Sequence, residues 1–103
     1  MGNYRGKLDI IADILKVASR NPKKTQIMYQ ANLSFRLLQK YLAHMSVSSL
    51  IFFNDETKSF SLTSKGKDFL ETYKQYSRTN RQAERVFSKV IAKKQTLEKL
   101  SNQ

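Results

Sequence analysis

From Thr63 to Leu100 the chain carries no proline and one glycine, Gly66, near the start. Nothing else in the sequence limits the fold so strongly. At 1.5 Å per residue such a helix reaches roughly 55 Å. Helical patterns longer than ~25 residues point to coiled coils. The register can be followed residue by residue. Phe69, Tyr73, Tyr76, Asn80, Ala83, Phe87, Val90, Lys94 and Leu97 alternate steps of four and three, as the a and d positions of a heptad do. Val86, Ile91 and Leu100 widen the stripe toward the C-terminal end. Asn80 and Lys94 are polar residues on the seam, a placement that lowers stability but fixes register and partner number. A stripe this long exceeds what the preceding residues can cover, so the sequence predicts a homodimer paired through the C-terminal helix. Its dimerisation residues are Phe69, Tyr73, Tyr76, Asn80, Ala83, Phe87, Val90 and Leu97. Ser77-Arg78-Thr79-Asn80 is the weak point, because Ser77, Thr79 and Asn80 are poor helix formers beside alanine or leucine.

The remainder, residues 1–66, reads as a small domain. Lys7 to Arg20 has one apolar row at Leu8, Ile11, Leu15 and Ala18 and a second at Ile10, Ile14 and Val17. That leaves a narrow polar strip, so this helix is expected at the centre of the domain or under a second subunit. Asn21-Pro22 ends it. A short helix follows from Thr25, its expected cap, to Ala31. Asn32-Leu33 makes a turn, and Ser34 caps a third helix from Phe35 to Val47. Leu50 to Phe53 has strand character, Asn54 to Lys58 is a turn by composition, and Ser59 to Leu62 alternates polar and apolar. Two short helices about a tight turn, then a hairpin, define a winged helix-turn-helix. The expected fold is therefore mainly α with a small β-hairpin: a winged helix-turn-helix over 1–66 and a coiled-coil helix over 67–103.

In a helix-turn-helix the second helix enters the major groove. Here that is residues 34–47, with Ser34, Phe35, Arg36, Gln39 and Lys40 as the base-facing candidates. Arginine can bind guanine O6 and N7, glutamine adenine N6 and N7, and phenylalanine a thymine methyl. Lys23, Lys24 and Lys58 are the candidate phosphate contacts, the last on a wing spanning 51–62. Asp55 and Glu56 at the wing tip would repel phosphate.

Charge agrees with this assignment. Lys and Arg number 19 against 8 Asp and Glu, a net +11 with a pI near 10.1. The usual partners of such a field are polyanions: double-stranded DNA first, with acidic lipid or acidic protein as alternatives. The last residues share the bias, with Arg78, Arg81, Arg85, Lys89, Lys93, Lys94 and Lys99 facing only Glu84 and Glu98.

Other classes find little support. No apolar run approaches the ~18 residues of a membrane span. Met1 to Arg5 leads into no secretory h-region. There is no cysteine and one histidine, His44, read as a surface or groove-edge residue. No phosphate loop, nucleophile motif or metal spacing occurs. No catalysis, metal, cofactor or small-molecule ligand is expected, and the location expected is cytoplasmic and nucleoid-associated.

"KLDIIADILKVA" (Lys7 to Ala18), "KTQIMYQANLSFRLLQKYL" (Lys24 to Leu42) and "SLTSKGKDFL" (Ser61 to Leu70) together resemble archaeal winged helix-turn-helix DNA-binding proteins, in particular the small coiled-coil winged-helix chromatin proteins of Sulfolobus. The resemblance implies DNA binding by a dimer joined through an antiparallel coiled coil. The family usually has a glycine where the recognition helix gives way to Leu-Ile; here the segment is Val47-Ser48-Ser49-Leu50-Ile51. Two roles share the fold, a transcription regulator reading paired half-sites and an architectural chromatin protein with little sequence choice. A protein-interaction module using the winged helix and coiled coil is the alternative of a different class.

Overall fold

In the computed structural model, which describes residues 5–102, helix α1 (Lys7–Ala18) is the centre of the core. Ile10, Ile11, Ala12, Ile14, Leu15, Val17 and Ala18 are all buried, which places both apolar rows inside as their spacing requires. Leu8 departs from its row and stays half exposed. The reading of Met1 to Arg5 as lacking an h-region falls, Arg5 apart, outside the described residues.

The chain leaves α1 through Asn21, whose φ of 54° is left-handed. Pro22 and Lys23 then run along the hairpin: the Phe60 amide donates to the Pro22 carbonyl (2.8 Å), and Lys23 bridges Ser59. This contact moves the start of α2 (Lys24–Gln30) ahead of the expected Thr25 cap. Lys23 is already held extended, so it becomes the N-cap, and its amide donates to Gln26 Oε1 (2.8 Å).

Helices α2 and α3 (Phe35–Val47) end in the same way. Leu33 donates to the Met28 carbonyl and Leu50 to that of Met45, each across a left-handed residue, Asn32 (φ 55°) and Ser49 (φ 62°). These are Schellman ends, and the left-handed site usually holds glycine. Ser49 thus occupies the position of the missing family glycine with the backbone that a glycine would take. A left-handed L-residue costs roughly 1–2 kcal/mol, of which glycine's greater unfolded-state entropy returns about 0.4–1. Ser49→Gly is therefore expected to raise stability by about 0.5–1 kcal/mol. A higher urea midpoint at unchanged slope would show it.

Strands β1 (Ile51–Asn54) and β2 (Ser59–Leu62) pair antiparallel, with Ile51 opposite Leu62 and Phe53 opposite Phe60. Asn54 Oδ1 closes the tip by accepting from the Glu56 and Thr57 amides. Helix α4 (Ser64–Ser101) follows at once. Thr63 Oγ1 caps it, accepting from the Gly66 amide (2.9 Å), and the same hydroxyl donates to the Ser49 carbonyl (2.6 Å). Lys65 Nζ donates to the Ser48 carbonyl (2.7 Å). The start of α4 is thereby fastened to the end of α3.

The chain forms two compact units, one ending at Tyr73 and the other starting at Lys74. The boundary drawn at Gly66 from the sequence moves accordingly, because Leu70 is buried in the first unit and Phe69 and Tyr73 pack against its core. Those two expected seam residues are thus partly buried within their own domain. The Tyr73 hydroxyl donates to Asp9, whose carboxylate also accepts from the Gly6 amide (2.9 Å) at the start of α1. These hydrogen bonds, the tyrosine's first, hold the Asp9 carboxyl below its ordinary value near 3.8. A lowered folded value means stability that is present above about pH 4 and is lost as pH falls through it. The stability gap between wild type and Asp9→Asn is expected to be constant near neutrality and to close in acid. Urea melts at stepped pH would check this, and a gap that persists in acid would show that the ionised form contributes nothing.

In the second unit Tyr76, Val86, Phe87, Val90, Ile91, Leu97 and Leu100 are all exposed. Among the described residues no helix is long and apolar enough to cross a membrane, and no cluster of metal-ligating side chains occurs.

Candidate nucleic-acid interface

Helix α3 is positioned by its own cap and by a residue outside the expected site. Ser34 Oγ accepts from the Leu37 amide (3.2 Å), while Leu38, Leu42 and Met45 bury the inner face. At the α2–α3 turn the Arg5 guanidinium donates to the Ala31 carbonyl (2.7 Å) and the Asn32 carbonyl (2.8 Å). It also pairs with Asp13 on α1 (2.9 Å). Arg5 thus ties the central helix to the turn that sets the angle of α3. No local sequence signal marks it, since its partners are mostly backbone carbonyls far along the chain.

Of the five base-facing candidates, Phe35, Arg36, Gln39 and Lys40 stand exposed on one face of α3. Ser34 is also exposed but has its oxygen committed to the cap. Arg36 makes no hydrogen bond or ion pair among the described residues, so its fork of donors is available. Gln39 is engaged: its Oε1 accepts from Lys24 Nζ, which also lies 4.5 Å over the Phe35 ring. The sequence placed Lys24 on phosphate; the structure joins it to two of the base-facing residues. One lone pair of the Gln39 oxygen is thereby occupied, and both amide hydrogens are left to offer. Lys40 Nζ sits 6.0 Å from the Tyr41 ring.

Between α3 and the wing runs an open groove of about 450 Å³ lined by Lys24, Leu42, Ala43, Ser46, Phe53, Lys58 and Phe60. Phe53 and Phe60 form its aromatic wall, with ring centres 4.9 Å apart. Lys58 is at the rim but pairs with Asp55 (3.0 Å), both side chains being largely exposed. Such pairs are worth ~0–1 kcal/mol, so a phosphate could displace the carboxylate at little cost. Lys23 is exposed beside the groove, and His44 is exposed on α3 away from any ligand set.

Three helices, the third presenting donors outward, and a two-stranded wing define a winged helix-turn-helix protein. The winged helix-turn-helix family matches residues 4–81, most of the chain, and the chain belongs to that family. Among solved structures it is similar to Sso10a-2, described as a DNA-binding protein from Sulfolobus solfataricus. That likeness has a TM-score of 0.66 at 20% identity and covers 96% of this chain and 99% of the other, so the two share a fold. No curated protein matches the chain.

Proposed function

We propose that this protein binds double-stranded DNA as a homodimer, without catalysis or cofactor, at the nucleoid of the cytoplasm. Helix α3 enters the major groove and the wing lies near the backbone. The observation that carries this reading is the exposed face of Phe35, Arg36, Gln39 and Lys40 on a family-defined recognition helix, with the Arg36 guanidinium unengaged. Lys23 and Lys58 serve phosphate, which positions the protein without reading sequence. The second unit of α4 pairs with its copy through Tyr76, Asn80, Ala83, Phe87, Val90 and Leu97. A regulator is favoured by the donor set on α3, and an architectural role by positive charge that continues far beyond it. Sso10a-2, of the same fold, is described as DNA-binding, which supports the partner.

Gln39 decides one base. A free glutamine pairs with adenine, but with the Lys24 ammonium on its oxygen the two side chains together present mainly donors. Two acceptors, O6 and N7, belong to guanine. The pair is therefore expected to select G·C, and Lys24→Met to shift that position toward A·T by about 1–3 kcal/mol of discrimination.

Sequencing a randomised duplex pool retained at rising salt tests both statements. A roughly palindromic motif that survives salt marks a regulator, and its half-site spacing reports the geometry of the dimer. Retention that fades steeply and enriches nothing marks architectural binding by counterion release. No retention even at low salt refutes DNA binding and leaves a protein-interaction module.

A further inference from the structure

The second unit of α4 carries a pattern of charge that neither the seam nor solubility accounts for. At about 100° per residue, Lys74, Arg78, Arg81, Arg85 and Lys89 fall within one sector about 80° wide. The apolar residues Tyr76, Ala83, Phe87 and Val90 are centred on the opposite side of the same helix. All five cations are exposed. None takes part in an ion pair among the described residues, where the pairs are Arg5–Asp13 and Lys58–Asp55. Glu84 is the one acid between Lys74 and Lys89, and it lies outside the sector.

The spacing is unfavourable for a free helix. Lys74 and Arg78, Arg81 and Arg85, and Arg85 and Lys89 are like charges at i, i+4, an arrangement that destabilises a helix. A stripe that served only solubility would gain from alternating signs, which stabilise. The stripe also crosses the helix-poor stretch Ser77 to Asn80, where added repulsion is least tolerable. Such repulsion is relieved by a linear polyanion laid along the stripe. From Lys74 to Lys89 the helix advances about 22 Å, over which one strand of B-DNA presents about six phosphates. Arginine predominates, and its planar fork suits phosphate oxygens.

We infer that this stripe is a second DNA-binding surface, specific for the phosphate backbone of a duplex and blind to sequence, on a different unit from α3. The choice of partner rests on the DNA reading proposed above; the stripe itself does not depend on α3.

The test uses the full-length chain and a duplex of random sequence, with affinity measured between about 50 and 200 mM salt, the range over which counterion release is steep. Three proteins are compared: wild type, the stripe variant Arg81→Gln/Arg85→Gln/Lys89→Gln, and a control of equal charge loss, Lys7→Gln/Arg20→Gln/Lys93→Gln. If all three stripe side chains meet phosphate, the slope of log affinity on log salt shrinks by about 2.7 in the stripe variant. It stays near the wild-type slope in the control. Equal slopes in the two variants overturn the stripe while leaving DNA binding in place. No binding by wild type overturns both. Circular dichroism checks the fold, and because the stripe variant loses like-charge neighbours it should be at least as helical as wild type. The charge-keeping variant Arg81→Lys/Arg85→Lys should retain the wild-type slope whatever the helical content of the glutamine variant, and a reduced slope there also counts against phosphate contact.

Discussion

Gly66→Ala is expected to destabilise the winged-helix unit by roughly 2 kcal/mol, although alanine is the better helix former. At an ordinary position in a helix this exchange gains up to ~1 kcal/mol. Gly66 is in the first turn of α4 and buried against α3's end, and a Cβ there would come 2.2 Å from the Leu50 carbonyl oxygen and 3.3 Å from its carbon. Backbone cannot swing aside as a side-chain tip can. The Leu50 carbonyl is also fixed by the Thr63 amide (3.3 Å), and the Ser48 and Ser49 carbonyls by Lys65 and Thr63. Relief must come from moving α4 away from α3, which opens the contact with Leu15, 3.5 Å from the same Cβ position. Overpacking costs ~1–3 kcal/mol, and a clash with backbone belongs at the top of that range, so it outweighs the propensity gain. The melting temperature should fall by about 10 °C, at 4–8 °C per kcal/mol for a unit of this size. Unchanged or raised stability would mean that the start of α4 shifts freely, and that the junction does not set the end of α3.

Phe87→Asp should raise the dissociation constant of the proposed dimer about a thousandfold. Phe87 is 63% exposed in the single chain, amid exposed Val86, Val90 and Ile91. Burying a phenylalanine is worth ~1.5–3 kcal/mol, and a two-fold pair loses it twice. Some 4 kcal/mol follows, or about three decades in affinity, before any cost of a buried carboxylate. Unpaired, the second unit would also lose helix, since most helical stability comes from a packed face. Sedimentation equilibrium across a range of concentrations, with circular dichroism, reads both effects. A wild type that stays monomeric would refute the pairing. A dimeric Phe87→Asp would place the interface away from the heptad seam.

Local chemistry was the legible part of this molecule. The Ser34 cap, the turn at Asn32 and the hairpin between Ile51 and Leu62 depend on neighbours in sequence, and each stands where its residues predict. The start of α2 was misplaced by the Thr25 rule because a distant contact, Phe60 on Pro22, fixed Lys23 first. Arg5 was missed for a similar reason: its partners Ala31 and Asn32 lie 26 and 27 residues away and present carbonyls that any residue has. Lys24 looked like a free surface cation until α2 and α3 came together and its ammonium met Gln39 and Phe35.

The long C-terminal helix divides the two kinds of knowledge most clearly. Its existence, its single apolar stripe and the basic face opposite follow from the sequence alone, because a missing proline and a four-three rhythm act through helix geometry. What covers each part of the stripe does not. Phe69, Tyr73 and Tyr76 continue one register, yet the first two pack against the core of the winged helix and Tyr76 is exposed in the second unit. Periodicity reports which side of a helix is apolar; only the tertiary structure decides which surface removes that side from water.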